Sequence, residues 1–149
     1  MKEPQAPLPP RWPLLLFRTI ATLEALLSLA ETSLAGSFLN GHYDMLKAHR
    51  ITAMVIVAVA VVQAVAAFLV RRAGRVPAWL LPTTLLLLIA LVGQTGLGFS
   101  RVLAAHVTLG VIVVACLLLL TGWSWRTPLP AADGGRHTEA ADEPIGVSS

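Results

Sequence analysis

The feature that most constrains this chain is a set of four apolar runs, each close to the length a bilayer-crossing helix needs. The second run, Ile51 to Val70, carries only Thr52 and Gln63 as polar residues and stops at Arg71 and Arg72. About 20 such residues span the roughly 30 Å hydrocarbon core as a helix, whereas a spanning strand uses about 10 with alternating polarity. The other runs cover about Leu14 to Leu34, Ala78 to Leu97 and Val102 to Gly122. With 56% hydrophobic and only 13% charged residues, against roughly 25% charged in an average soluble domain, a soluble globule is excluded as the default. The expected fold is all-α, an integral membrane four-helix up-down-up-down bundle in contact with a lipid bilayer.

Residues 1–13 are Pro-rich and read as a disordered tail, because proline lacks an amide donor and pushes its predecessor to extended conformations. The first run could be mistaken for a signal peptide. Arg18, Glu24 and Glu31 interrupt it and no well-placed small-residue cleavage site follows, so it is expected to span. Pro82 falls in the first turn of the third helix, where it costs little. The few residues around Ser100 and Arg101 make the third and fourth helices antiparallel neighbours. The membrane domain is thus 14–126, with helices about 14–34, 51–70, 78–97 and 102–122. Residues 127–149, rich in Pro, Gly, Asp and Glu, read as a second disordered tail.

The net charge of +3 does not point to nucleic acid, because the basic residues sit beside apolar runs rather than on a soluble face. They report orientation instead. Lys2, Arg11, Arg18, Arg71, Arg72, Arg75, Arg126 and Arg136 flank one side, and only Lys47, Arg50 and Arg101 the other. The excess of positive charge on cytoplasmic flanks puts both termini in the cytoplasm of a multi-pass cell-membrane protein. Trp12, Trp79, Trp123 and Trp125 fall on that same interface, which amphipathic rings prefer.

The second and fourth helices run the same way, so His49 and His106 near their starts lie at similar depth, toward the extracytoplasmic side. In such a bundle these two helices are diagonal partners. With neighbours 8–10 Å apart the diagonal is roughly 13 Å, wide enough for two imidazoles to ligate a metal centre between them. The segment Glu31-Thr32 followed by Ala48-His49 is echoed by Gln94-Thr95 followed by Ala105-His106. That echo suggests an internal two-fold repeat of helix pairs.

The surroundings suit a haem better than a bare ion. Ala53 and Gly110, one turn beyond the histidines, leave room for a flat ring, and Ile56 and Val113 line its apolar edge. Gly93, Gly96 and Gly98 permit close approach of the third helix. Lys47, Arg50 and Arg101 stand where propionates would emerge. A zinc site would need further ligands, with only His42, Asp44 and Glu31 on offer. His42 is a reserve ligand, and His137 reads as solvated.

The strings LKAHRITAMVIV (46–57) and VGQTGLGFSRVLAAHVTLGVIVVACLLLL (92–120) resemble one four-helix half of the haem A synthase family. In that family each half carries two histidines, on its second and fourth helices, facing a haem near the extracytoplasmic side. The resemblance spans about residues 30 to 120 and implies His49 and His106 as axial pair, with Arg50 following the first. The chain has a single half, no outer-loop cysteine pair, and Leu46 where the family places a carboxylate one turn before the first histidine. Oxidation of a haem methyl group is therefore not expected of it.

Glu24, Ser28 and Glu31 share one face of the first helix. An ionised carboxylate near the midplane is costly, so this stripe should face the bundle interior. Glu31 has Arg50 or Arg101 within expected reach. The stripe is either a polar relay of Glu24, Glu31 and Gln94 toward a cofactor or quinone, or internal hydrogen-bonding glue with Gln63, Gln94 and Thr95. Cys116 reads as a small apolar filler.

Three functions follow. The first is a bis-histidine, cytochrome-type haem b protein for electron transfer or haem handling, with a redox partner or quinone; two axial imidazoles leave iron no open position, which disfavours an enzyme. The second is a cofactor-free accessory subunit of a membrane complex or homo-oligomer. The third is a small transporter coupled to protons through Glu24.

Overall fold

A computed structural model describes residues 11–74 and 76–129. The expected tails, with Lys2, Arg136 and His137, and the connector residue Arg75 lie outside the described residues, save 11–13 and 127–129. Four helices follow in order: α1 (Trp12–Leu39), α2 (Met45–Arg72), α3 (Leu80–Phe99) and α4 (Leu103–Arg126). Each is long and apolar enough to cross a membrane. The chain is a multi-pass, all-α membrane bundle.

Three helices outrun their apolar runs. α1 and α2 have 28 residues each, about 42 Å at 1.5 Å per residue, so they project beyond the hydrocarbon core. Hydropathy marks where lipid is, whereas a helix ends where the backbone is turned. α1 already starts at Trp12, inside the expected tail, because Pro13 stands in the first turn, where no amide is required. It ends only at Asn40 and Gly41, whose φ of +95° glycine adopts without strain. α2 likewise runs to Ala73 and Gly74, and Arg71 and Arg72 in its last turn oppose the negative end of the helix dipole. His49 therefore sits inside α2 rather than just before it.

Each helix packs on two neighbours, α1 on α2 and α4, and α3 on α2 and α4, leaving α2 and α4 facing across the diagonal. Buried positions step by threes and fours, as in Ile56, Ala60, Gln63, Ala67 and Val70 of α2 and Leu80, Thr84, Leu87 and Leu91 of α3, the spacing that keeps one stripe toward a bundle axis. Large apolar side chains such as Leu86, Ile89, Val111 and Leu119 point outward. In water such a surface would be a liability, and in a bilayer it faces lipid.

The core is polarised along its length. Burial in α1 runs from Pro13 to Ser28, in α2 it begins at Ile56, in α3 it stops at Leu91, and in α4 it begins at Val113. The half of the bundle holding Phe17, Ala67, Leu80 and Leu117 is sealed. Beyond that level the centre opens.

The sealed end is stitched between α1 and α4. Arg18, only 4% exposed, donates from Nε to the Ser124 carbonyl at 2.8 Å and from Nη2 to that of Thr127. It thereby caps the carbonyl end of α4, where a cation is also favoured by the dipole. This side chain, expected as an orientation signal at the membrane flank, is an internal cap. Thr121 Oγ1 donates to Ala21 O at 3.0 Å, and Trp125 Nε1 to Thr22 Oγ1 at 3.0 Å. The Trp79 and Trp123 rings meet at 4.7 Å, so this one end gathers all four tryptophans.

Candidate histidine-pair site

The open half holds the histidines. His49, on the second turn of α2, and His106, on the first turn of α4, bring their ring centres to 6.3 Å across the diagonal, with planes at 80°. Matched depth and diagonal placement, expected from the alternation of four spans, are met.

Each ring is held by a residue of the helix preceding its own. His106 Nδ1 lies 2.9 Å from the backbone carbonyl of Gln94. A carbonyl only accepts, so Nδ1 carries the proton and, in the neutral ring, Nε2 carries the lone pair. His49 Nδ1 lies 3.0 Å from Glu31 Oε1, although the ring N–H is off the line of a well-formed hydrogen bond. Glu31 thus meets His49 and not Arg50 or Arg101. The two contacts differ in kind: Glu31 meets His49 with its side-chain carboxylate, and Gln94 meets His106 with its backbone carbonyl.

α3 reaches His106 closely at one glycine. A Cβ on Gly98 would lie 3.0 Å from His106 Cε1 and 3.2 Å from Nδ1. Gly93 and Gly96 have nothing within 4 Å of such a Cβ, so of the three glycines only Gly98 makes the expected close approach. Gly110 makes another, since its Cβ would lie 2.7 Å from Gln94 Nε2. The room expected there for a flat ring is taken by the Gln94 amide.

Two cavities, of about 210 and 440 Å³, share His49, His106, Glu31 and Gln94 as walls. The smaller runs to the bundle mouth past Ala53, Gly98 and Arg50. The larger follows α4 past Gly110 and Val113, with Ser28 on the α1 side. Ile56 lines both. The larger falls in the volume range of small-molecule sites, ~300–1,000 Å³.

Other expected site residues are placed less centrally. Arg50 is exposed and lies over the Phe99 ring at 5.9 Å. Arg101 is exposed in the α3–α4 turn at φ 59° and lines neither cavity. Its backbone amide bonds Gly98 O, so the tight turn, and not the rim, sets its position. Lys47 and His42 are exposed and line neither cavity.

Glu24, at 1% exposure, Ser28 and Gln63 face the interior as expected. Glu24 Oε1, Ser28 Oγ, Gln63 Oε1, Glu31 Oε2 and Gln94 Oε1 have no hydrogen-bond partner among the described residues. Thr95 bonds the Leu91 carbonyl of its own helix. Among the described residues no three His, Cys, Asp or Glu side chains converge as a metal site. Gly98 and the Gln94 carbonyl were not legible as partners of His106; the glycine carried a faint signal in its GLG setting, the carbonyl none.

Fold and site together define a multi-pass membrane bundle that encloses a histidine pair at its open end. No family model, curated protein or solved structure matches the chain.

Proposed function

We propose that this protein is a haem b-binding membrane protein of cytochrome type, in which His49 and His106 would hold the iron, serving electron transfer or haem handling and assembly. The observation that carries the reading is the separation of the two rings. A metal–imidazole bond of about 2.0–2.1 Å, with the ring nitrogen about 1.1 Å from its centre, puts opposed imidazoles about 6.3 Å apart centre to centre. The rings stand at 6.3 Å. Edge-to-face packing also covers this distance, and the state of the nitrogens lends support to the ligand reading. Neither Nε2 has a hydrogen-bond partner among the described residues, and neither is fully enclosed. Ligating histidines commonly hold their second nitrogen against a carbonyl or carboxylate, as His106 does with Gln94 O and His49 with Glu31.

The donor set also fits. Two imidazoles in an apolar pocket suit an iron macrocycle, and the cavity walls supply Ala53, Ile56 and Val113. Arg50 at the mouth would pair a propionate. A bis-histidine haem supplies reversible one-electron transfer at a closed coordination sphere. The protein's residues orient the imidazoles, exclude water through the sealed half below, and hold a positive charge at the mouth. Both termini are assigned to the cytoplasm and the histidines to the outer side, on the basic flanks and the tryptophan-rich end.

Purified protein from haem-supplied cells is expected to show one low-spin haem spectrum, lost in His49→Ala and in His106→Ala. Colourless protein would overturn the reading in favour of a cofactor-free accessory subunit. Orientation is read separately. Asn40→Cys should label from outside the cell and Ala78→Cys only after permeabilisation, in a Cys116→Ala background.

A further inference from the structure

The two rings are alike in depth and unlike in what stands behind them. Behind His106 is a neutral acceptor, the Gln94 carbonyl, at 2.9 Å. Behind His49 is a carboxylate, Glu31, at 3.0 Å, whose second oxygen is buried without a partner. We propose that Glu31 is a positioning residue that holds His49 in the Nδ1–H tautomer and makes the two imidazoles electronically unequal donors. The tautomer part stands on the 3.0 Å approach of Glu31 Oε1 to His49 Nδ1, a contact off the line of a well-formed hydrogen bond; the donor part rests on the haem reading above.

A carboxylate facing Nδ1 favours the proton on that nitrogen, which directs the Nε2 lone pair toward the other side of the ring. A carboxylate oxygen at 3.0 Å is also a stronger acceptor than a peptide carbonyl and, when ionised, pushes more electron density toward Nε2. A ligand so backed is the stronger donor and stabilises the more positive, oxidised state of a metal it binds. His49 is backed by a side-chain carboxylate and His106 by a backbone carbonyl, so the pair is asymmetric.

The test has an arm without haem and an arm with it. In haem-free protein in detergent, with ¹⁵N-labelled histidine, His49 and His106 should both show protonated Nδ1. Glu31→Leu should turn His49 into a tautomer mixture, Glu31→Asp should restore most of the protonated Nδ1 signal, and His106 should not move. Unchanged His49 signals in Glu31→Leu would overturn the tautomer part. In haem-loaded protein at fixed pH, Glu31→Gln should keep the low-spin spectrum and shift the midpoint potential upward. An unchanged or lowered potential with intact spectrum would overturn the donor part and leave the haem reading standing. Protein that takes up no haem would overturn the haem reading and the donor part with it, while the NMR arm still decides the tautomer.

Discussion

Replacing Gly98 by alanine adds one methyl group at the point where α3 touches the His106 ring. The new Cβ would meet His106 Cε1 at 3.0 Å, Nδ1 at 3.2 Å and Nε2 at 3.7 Å, so the ring must retreat by a few tenths of an ångström. The ring is also tied to Gln94 O at 2.9 Å, and retreat stretches that bond. Overpacking of this kind costs about 1–3 kcal/mol, and weakening a neutral hydrogen bond about 0.5–1.5 kcal/mol. Glycine to alanine in a helix returns up to about 1 kcal/mol. Gly96→Ala is the control: it lies in the same helix with nothing within 4 Å of its Cβ, so it should gain the propensity term alone. The difference between the two variants then isolates the contact, and should be about 1.5–4.5 kcal/mol on the sum of these terms. Unfolding in mixed micelles measures stability, and ¹⁵N shifts of His106 measure the ring. Equal stability of the two variants with an unmoved His106 signal would refute the close approach and, with it, the tether that presents Nε2.

Arg18→Met should lower stability by roughly 3 kcal/mol, because two carbonyls at the end of α4 lose a charged donor in a sealed setting; unfolding midpoints check it, and Arg18→Lys should recover part. Gln63→Leu should be neutral or stabilising by about 1 kcal/mol, since its buried oxygen has no partner to lose among the described residues; a clear loss in the same assay would reveal one. Glu24→Gln should leave the fold and any haem spectrum unchanged, and pH-dependent uptake into vesicles that vanishes in this variant would instead favour a proton-coupled transporter. Arg50→Gln should weaken haem retention in a transfer assay several-fold, whereas Arg101→Gln, which lines neither cavity, should not.

The four spans, their alternation and the level of the two histidines were determined by the sequence alone. Apolar run length is set by bilayer thickness, and an odd or even number of crossings decides which ends share a side. The same logic placed His49 and His106 on diagonal helices before any contact was known. Helix ends were read less well, because Pro13 is tolerated in a first turn and the stops lie at Gly41 and Gly74, outside the hydropathy signal.

Only the tertiary structure decided what each ring touches. Glu31 had two arginines within sequence reach and meets an imidazole, because the α1–α2 packing brings it level with His49. His106 is held by a peptide carbonyl, a group that every residue possesses and that no residue type marks. Arg18 reads as a flank charge, yet the packing of α1 on α4 at the sealed end turns it inward to the Ser124 and Thr127 carbonyls at the end of α4. One-dimensional pattern records solvent preference and period. Partner choice depends on the relative rotation and height of packed helices, which arise from the sum of many contacts and appear only when the bundle closes.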